Sequence, residues 1–261
     1  MATKKQHKII EATAQVEQGD DTPRKVKEAR PVGNAKALRI WAVVLWVLGL
    51  AFEVFAVLIF IGKLNITAFS PLAQIIIALI IDLILVAIGS QCWKRANHIE
   101  PASKANATKF WLWNNLGSIV AVIAFVPFIL IALTDKNADK KTKTVASAVA
   151  VIALIIAGLA GFDWNPISSE ELDAAKNTFG TQTVYWTTFG KVYHTHEDCQ
   201  ALNRSDTLYK GTVSQAVDSK DGGSKTRLCH FCAKRDNIKG VTTDQPDENE
   251  VEREEDETSG E

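Results

Sequence analysis

The chain of 261 residues has only four cysteines, five histidines, three tyrosines and one methionine. Four cysteines, three of them at positions 199, 229 and 232, do not make the disulfide framework of a small secreted protein. No apolar core precedes Ala37 and no small-residue cleavage site is present, so residues 1–36 predict no secretory leader. Net charge is also scarce, −1 in total, but that figure averages opposites. Residues 241–261 hold ten acids against one Arg, a net of −9, which leaves +8 on the first 240. Most of the basic residues flank apolar runs, where membrane topology explains them, so the balance does not argue for nucleic acid.

Apolar sequence is abundant and concentrated between Ile40 and Phe162. A bilayer core about 30 Å thick takes roughly 20 apolar residues in a helix. Four segments meet or approach that length: 40–62, 72–91, 110–133 and 145–162, the last rich in Ala and Gly. Four such runs leave too little polar surface for a soluble bundle, so they predict a polytopic membrane domain over 37–163. Pro127 predicts a kink in the third span. Cys92 reads as a small apolar filler at the inner end of the second, with palmitoylation as the alternative.

Orientation follows from Lys and Arg near the span ends. Arg24, Lys25, Lys27, Arg30, Lys36 and Arg39 precede the first span, and Lys94, Arg95, Lys104 and Lys109 follow the second. Opposite them stands Lys63, joined by the dissenting Lys136, Lys140, Lys141 and Lys143 of the 134–143 loop. Ten against five predicts that both termini are cytoplasmic and that the protein is multi-pass in the cell (inner) membrane.

Glu53 and Asp82 interrupt the spans, and in an antiparallel hairpin their carboxyls fall within about 5 Å of the same depth. No Lys, Arg or His lies inside any expected span to neutralise them. Each must be protonated, hydrogen-bonded or facing a wet cavity, with Gln74, Asn114, Asn115 and Ser118 as candidate partners. One reading is hydrogen-bonded glue between helices or subunits. The other is the proton or cation path of a small transporter or channel subunit, although no paired, broken helices repeat between halves.

Beyond Phe162 the chemistry changes. Ser168 and Glu171 have capping-box spacing and open a short helix within the 164–180 linker, to about Lys176 at the membrane surface. Residues 183–187 and 192–195 read as a β-hairpin, and Thr212 with Gln215 opens another short helix. The module at 181–240 has a meagre core of Val184, Trp186, Val192, Leu202, Val213, Ala216 and Leu228. A domain so small often needs a staple. His194, Cys199, Cys229 and Cys232 supply one, since a CxxC knuckle with a second Cys and a His makes a tetrahedral zinc shell. His196 is the alternative histidine, because it shares a strand face with His194, and His230 is a further candidate. A redox CxxC normally opens a longer helix in a βαβ unit, which is missing, and a disulfide requires an exported domain. The expected fold class is therefore an α-helical membrane protein with four transmembrane helices and a small C-terminal α+β zinc-stapled domain.

The run Gly190-Lys-Val-Tyr-His194, then Cys199-Gln-Ala-Leu202, Ala216 and Cys229-His-Phe-Cys232, resembles the Ada-type metal-binding module of bacteria. The likeness covers about a fifth of the chain. It implies zinc on His194, Cys199, Cys229 and Cys232, although His194 and Cys199 stand one residue further apart than in that pattern. Because a His replaces one of the four cysteines of the repair protein, the resemblance does not bring methyl transfer with it. Such modules occur on nucleases and on membrane proteins, which implies a membrane-tethered nucleic-acid module as another alternative. The whole chain also resembles bacterial four-span membrane proteins with such a tail.

A closed Cys3His shell leaves no position for a reacting water, and Glu197 and Asp198 are candidate bases only by proximity. The expectation is a non-enzymatic interaction or regulatory protein, with the lipid bilayer and a protein partner or second copy as its company. No small-molecule substrate is identified. Residues 1–36, with a short helix around Lys8–Val16, and the acidic tail 241–261 are expected to be disordered.

Overall fold

The computed structural model describes residues 24–66, 69–218 and 224–244. Residues 1–23, with the helix expected at Lys8–Val16, and the tail beyond Asp244 lie outside the described residues. The elements are β1 (Lys25–Glu28), α1 (Ala35–Phe60), α2 (Pro71–Ile99), α3 (Ala107–Asn114), α4 (Leu116–Thr134), α5 (Lys140–Gly161), α6 (Ser169–Phe179), β2 (Val184–Thr187), β3 (Val192–Tyr193), β4 (Thr207–Gly211), α7 (Val213–Val217), β5 (Arg227–Leu228) and α8 (His230–Arg235).

Four helices, α1, α2, α4 and α5, are long and apolar enough to cross a membrane. Each begins where local chemistry starts a helix, and three have side-chain caps. Asn34 caps α1, Ser70 with Pro71 in the first turn opens α2, and the Asp139 carboxylate accepts from the N–H groups of Lys141 and Thr142 at α5. These caps lie in polar sequence, so α5 begins at Lys140 rather than 145. Without a stop signal α2 continues past Gln91 to Ile99.

The expected third span, 110–133, is not one helix. α3 ends at Asn114 and α4 starts at Leu116, with Asn115 between them at φ −107° and ψ 13°. The Asn115 side-chain amide donates to the Trp111 carbonyl at 3.0 Å, the kind of local bond that competes with helix geometry. α4 continues through Pro127. The next N–H, that of Phe128, donates to Glu53 Oε1 at 3.2 Å.

α2 packs against α1, α4 and α5 and is the bundle's central helix. Small residues let the backbones approach, as is usual where lipid offers no hydrophobic drive between helices. Ala121, Ala124, Ala146, Ala150 and Ala157 are fully buried. Where α4 begins and α5 ends the two helices nearly touch: a Cβ on Gly161 would stand 2.5 Å from the Gly117 carbonyl carbon. Trp46, Trp93 and Trp113 pack in series there, the first pair tilted and the second edge-on, with ring centroids 5.4 and 5.2 Å apart. Ile40, Trp41, Val47, Ile152 and Ile155 are exposed on the outer faces of the bundle.

The second core belongs to the C-terminal module and draws on more sequence than 181–240. Ile167, Leu172, Ala175 and Phe179 join it, so one face of α6 packs into the module's core. Both expected capping boxes form, at Ser168/Glu171 and Thr212/Gln215. A three-stranded sheet has the order β1-β4-β2, with β1 parallel and β2 antiparallel to β4. The hairpin expected over 183–195 is reduced to one bridge, Tyr185 to His194. β2 pairs instead with β4, which places Leu208 in the core, and β3 pairs in parallel with β5.

The expectation of a disordered arm up to residue 36 is corrected for its described part. Lys25–Glu28 form β1 along β4, and Arg24 donates to the Asn203 side chain at 3.0 Å. Because β1 precedes the first span and β4 follows the fourth, this pairing brings both polar flanks to one end of the bundle.

Candidate metal centre

His194, Cys199, Cys229 and Cys232 converge, with all four ligand atoms within 4.8 Å of one another. Each arrives from a different local device. His194 directly follows β3, held by paired bonds of 2.8 Å with the Tyr185 backbone. Cys199 begins a 3-10 turn over Gln200–Leu202, whose Leu202 N–H donates to the Cys199 carbonyl at 2.8 Å. Cys229 stands at the cap position of α8 and its N–H donates to the Tyr193 carbonyl at 2.9 Å. Cys232 lies one turn into α8.

Cys199 Sγ is 3.9 Å from Cys229 Sγ, and Cys232 Sγ is 3.9 Å from His194 Nδ1. The four side chains are closed from solvent: His194 is 3% exposed, Cys199 5%, Cys229 1% and Cys232 1%. All three cysteines are free thiols, so no disulfide competes for them. Buried side by side, they cannot all ionise. The Cys229 thiol beside Cys232 holds it well below the usual thiol range, and the His194 contact acts in the same direction. That same contact with Cys232, together with burial, pushes Cys229 up, and burial raises Cys199. These are residues that could hold a metal ion.

The tertiary contacts separate the histidines. His196 Nε2 is 2.7 Å from Asp236 Oδ1, and Asp236 Oδ2 accepts from the Thr195 hydroxyl at 2.7 Å. Those two contacts hold the Asp236 carboxyl below its usual range. His196 is therefore committed to Asp236 and stands outside the ligand set. His230 faces Asp244, which accepts its backbone N–H at 2.7 Å at the start of α8. Cys229, His230 and Asp244 also group within 4.8 Å, but Asp244 already serves that helix start and the His230 ring, 3.0 Å away.

A cavity of about 300 Å³ lies beside the cluster, lined by Asp198, Cys199, Gln200, Phe231, Cys232 and Arg235. Arg235 Nη1 bonds Asp198 Oδ1 at 2.9 Å, which lowers the Asp198 carboxyl. Asp198 is thus an ion-pair partner rather than a poised base, and the Glu197 backbone carbonyl is met by Arg24 at 3.4 Å.

The intramembrane acids are both buried. Glu53 meets the backbone of α4 at Phe128, and neither oxygen of Asp82 has a hydrogen-bond partner. The expected polar partners are engaged elsewhere or unpaired. Gln74 holds the backbone of the loop before α2 at Ile66 and Phe69, and Ser118 donates to the Gly158 carbonyl. Asn115 bonds Trp111 and the Asp163 N–H, and the Asn114 amide has no partner. Cys92 is half-buried and packs against the bundle core.

Two polar pairings carry no signal in the sequence. His98 Nε2 meets Asp163 Oδ2 at 2.9 Å in a buried pair that ties α2 to the end of α5. Arg95 meets Asp218 across 123 positions of sequence. Neither has a periodic or spacing signal, because each joins residues brought together only by the bundle and the docked module.

Comparison of the chain with protein families, curated proteins and solved structures finds no match.

Proposed function

We propose that this is a bacterial integral membrane protein whose four-span bundle carries a zinc-stapled module at its cytoplasmic face, where the module engages a protein partner without catalysing a reaction. The observation that carries the reading is the closed Cys3His cluster. In a zinc tetrahedron with bonds of about 2.3 Å, sulfurs stand about 3.8 Å apart. The 3.9 Å separation of Cys199 Sγ and Cys229 Sγ fits that edge. Four protein ligands complete a structural shell and leave no open position for a reacting water. Soft thiolates with one imidazole favour zinc over calcium or magnesium, which take oxygen ligands.

The cytoplasmic assignment is supported by the excess of Lys and Arg at the end that carries β1 and the module. Reduced thiols fit that compartment. In this role the bundle is an anchor, and zinc, when bound, fixes the fold of the module.

Metal analysis of the full chain purified in detergent tests the proposal, with Cys229→Ser and Cys232→Ser for comparison. One zinc per chain, lost in both variants, is the expected result. A well-folded parent that holds no metal overturns it.

A further inference from the structure

Asp82 is an isolated polar group within the bundle. Its side chain is fully buried, neither oxygen has a hydrogen-bond partner, and it lies at the middle of a membrane-spanning helix. Packing forces it there. A Cβ on Gly49 of α1 would stand 2.6 Å from Asp82 Oδ1, so the absence of a side chain at Gly49 creates the space the carboxyl occupies. Glu53 lies one helical turn further along α1 and is also buried, with one oxygen accepting from the backbone of a third helix at Phe128.

A lone carboxylate in such surroundings is costly, and its charge has to be neutralised by a proton or a bound cation. The coordination chemistry decides between them. Calcium takes about 6–8 oxygen ligands, and magnesium holds a near-ideal octahedron. Here Glu53, buried one turn from Gly49 on α1, brings a second carboxyl to about the level of Asp82, and the only further hydrogen-bond partner of the two in the described structure is a donor, the Phe128 N–H. That set suits a proton. Glu53 is the one titratable group facing Asp82 from α1, and α4 contains none. Along the parallel helices α2 and α5, Lys94 and Lys143 are the nearest cations, about 18 Å and 12 Å away in depth.

The buried face of α2 also carries polar groups towards both ends of the bundle: Gln74, Asp82, Ser90 and Asn97, spaced by about two turns. Ser147 of α5 lies about one turn from Asp82 in depth, and its buried hydroxyl has no partner. At the inner end Asn97 Oδ1 and the Asn114 amide are buried and unpartnered too.

We propose that Asp82, with Glu53 beside it, is an exchangeable proton-binding site at the centre of the membrane bundle. The proposal stands apart from the metal centre and does not depend on it. Loading moves one proton from water to a carboxylate oxygen, and unloading returns it.

Infrared difference spectroscopy of the full chain in lipid, recorded while pH is stepped, tests this. The expected result is a protonated-carboxyl band that diminishes reversibly as pH rises, shifts in heavy water, disappears in Asp82→Asn and changes frequency in Glu53→Gln. A parent band that neither titrates nor shifts in heavy water means fixed hydrogen-bond glue and overturns the proposal, as does an unchanged titration in Asp82→Asn. If Asp82→Asn does not fold, the parent titration and Glu53→Gln decide: a band that titrates but ignores the Glu53 change overturns the pairing.

Discussion

The Arg95 guanidinium grips the Asp218 carboxylate with two bonds, 2.7 Å from Nε to Oδ1 and 3.0 Å from Nη2 to Oδ2. Asp218 caps the end of α7 in the module, and Arg95 stands near the C-terminal end of α2 in the bundle. The Gly33 N–H donates to the same carboxylate at 2.8 Å, so the segment leading into the first span is held as well. A side chain at Gly33 would collide with this clasp, since its Cβ would come 2.9 Å from Arg95 Nη2. On the module's other flank, the Ser103 hydroxyl and Lys104 N–H bond the Glu170 carboxylate and hold it at about 2, while Lys104 Nζ reaches Glu171 at 2.6 Å. The module is thus fastened to the bundle at two places.

Arg95→Ala leaves the buried Asp218 with Gly33 alone among these contacts. Breaking one half of a buried pair costs about 3–5 kcal/mol. Because Arg95 is partly exposed, the lower end of that range is expected. Hydrogen exchange at residues 25–34 and 213–218 should rise in the variant, with the spans unaffected. Equal protection in variant and parent would mean that the clasp does not hold the module.

His194 and His196 are expected to separate cleanly. His194→Ala removes a ligand and should drop bound metal to the level of the cysteine variants. His196→Ala should keep the metal and lose only its partly exposed contact with Asp236, about 0–1 kcal/mol. Metal retained in the first and lost in the second would reassign the ligand.

Lys225 is fully buried, and desolvation lowers its ammonium from 10.5 to about 8. The unfolded chain therefore keeps this proton up to a higher pH than the folded one. Between pH 8 and 10.5 the unfolded state binds more protons, so Lys225 makes stability rise with pH. Below pH 8 its unfavourable contribution is present in full. Lys225→Met should stabilise the module by about 1–3 kcal/mol at neutral pH and flatten that rise, against the loss of a 3.5 Å contact with the Thr188 carbonyl. Thermal melts across pH measure both.

Gly161→Ala and Gly158→Ala form a matched pair on α5. A methyl at 161 would overlap the backbone of Gly117 and Ser118 at 2.5 Å, whereas one at 158 meets nothing within 4 Å. Overpacking costs about 1–3 kcal/mol, so Gly161→Ala should lower the melting temperature in detergent. Gly158→Ala should leave it unchanged or raise it, because Ala is the better helix former.

The four membrane helices were legible because long apolar runs and nearby caps such as Ser70-Pro71 and Asp139 are local signals. The Asn114–Asn115 break was visible only as two amides in an apolar run. What turned them into a break was a side-chain bond to Trp111 together with the tie from Asn115 to Asp163. The metal cluster was readable from cysteine spacing, but the fold around it was only partly so. β4 carries little local signal because Thr207–Gly211 is short, and the nearness of residues 192–195 in sequence points β2 to a hairpin partner rather than to β4.

Composition and short-range order by themselves determined that this chain has four membrane-length helices and one Cys/His cluster. Such features depend on run length, caps and spacing within a few turns. Only the tertiary structure decided which histidine joins the cysteines, that residues 25–28 complete the sheet, and that Asp82 stands unpartnered against Gly49. The reason is distance along the chain. Arg95 finds Asp218, and β1 finds β4, across intervals that no local propensity spans, and only the packed bundle and its docked module bring them together.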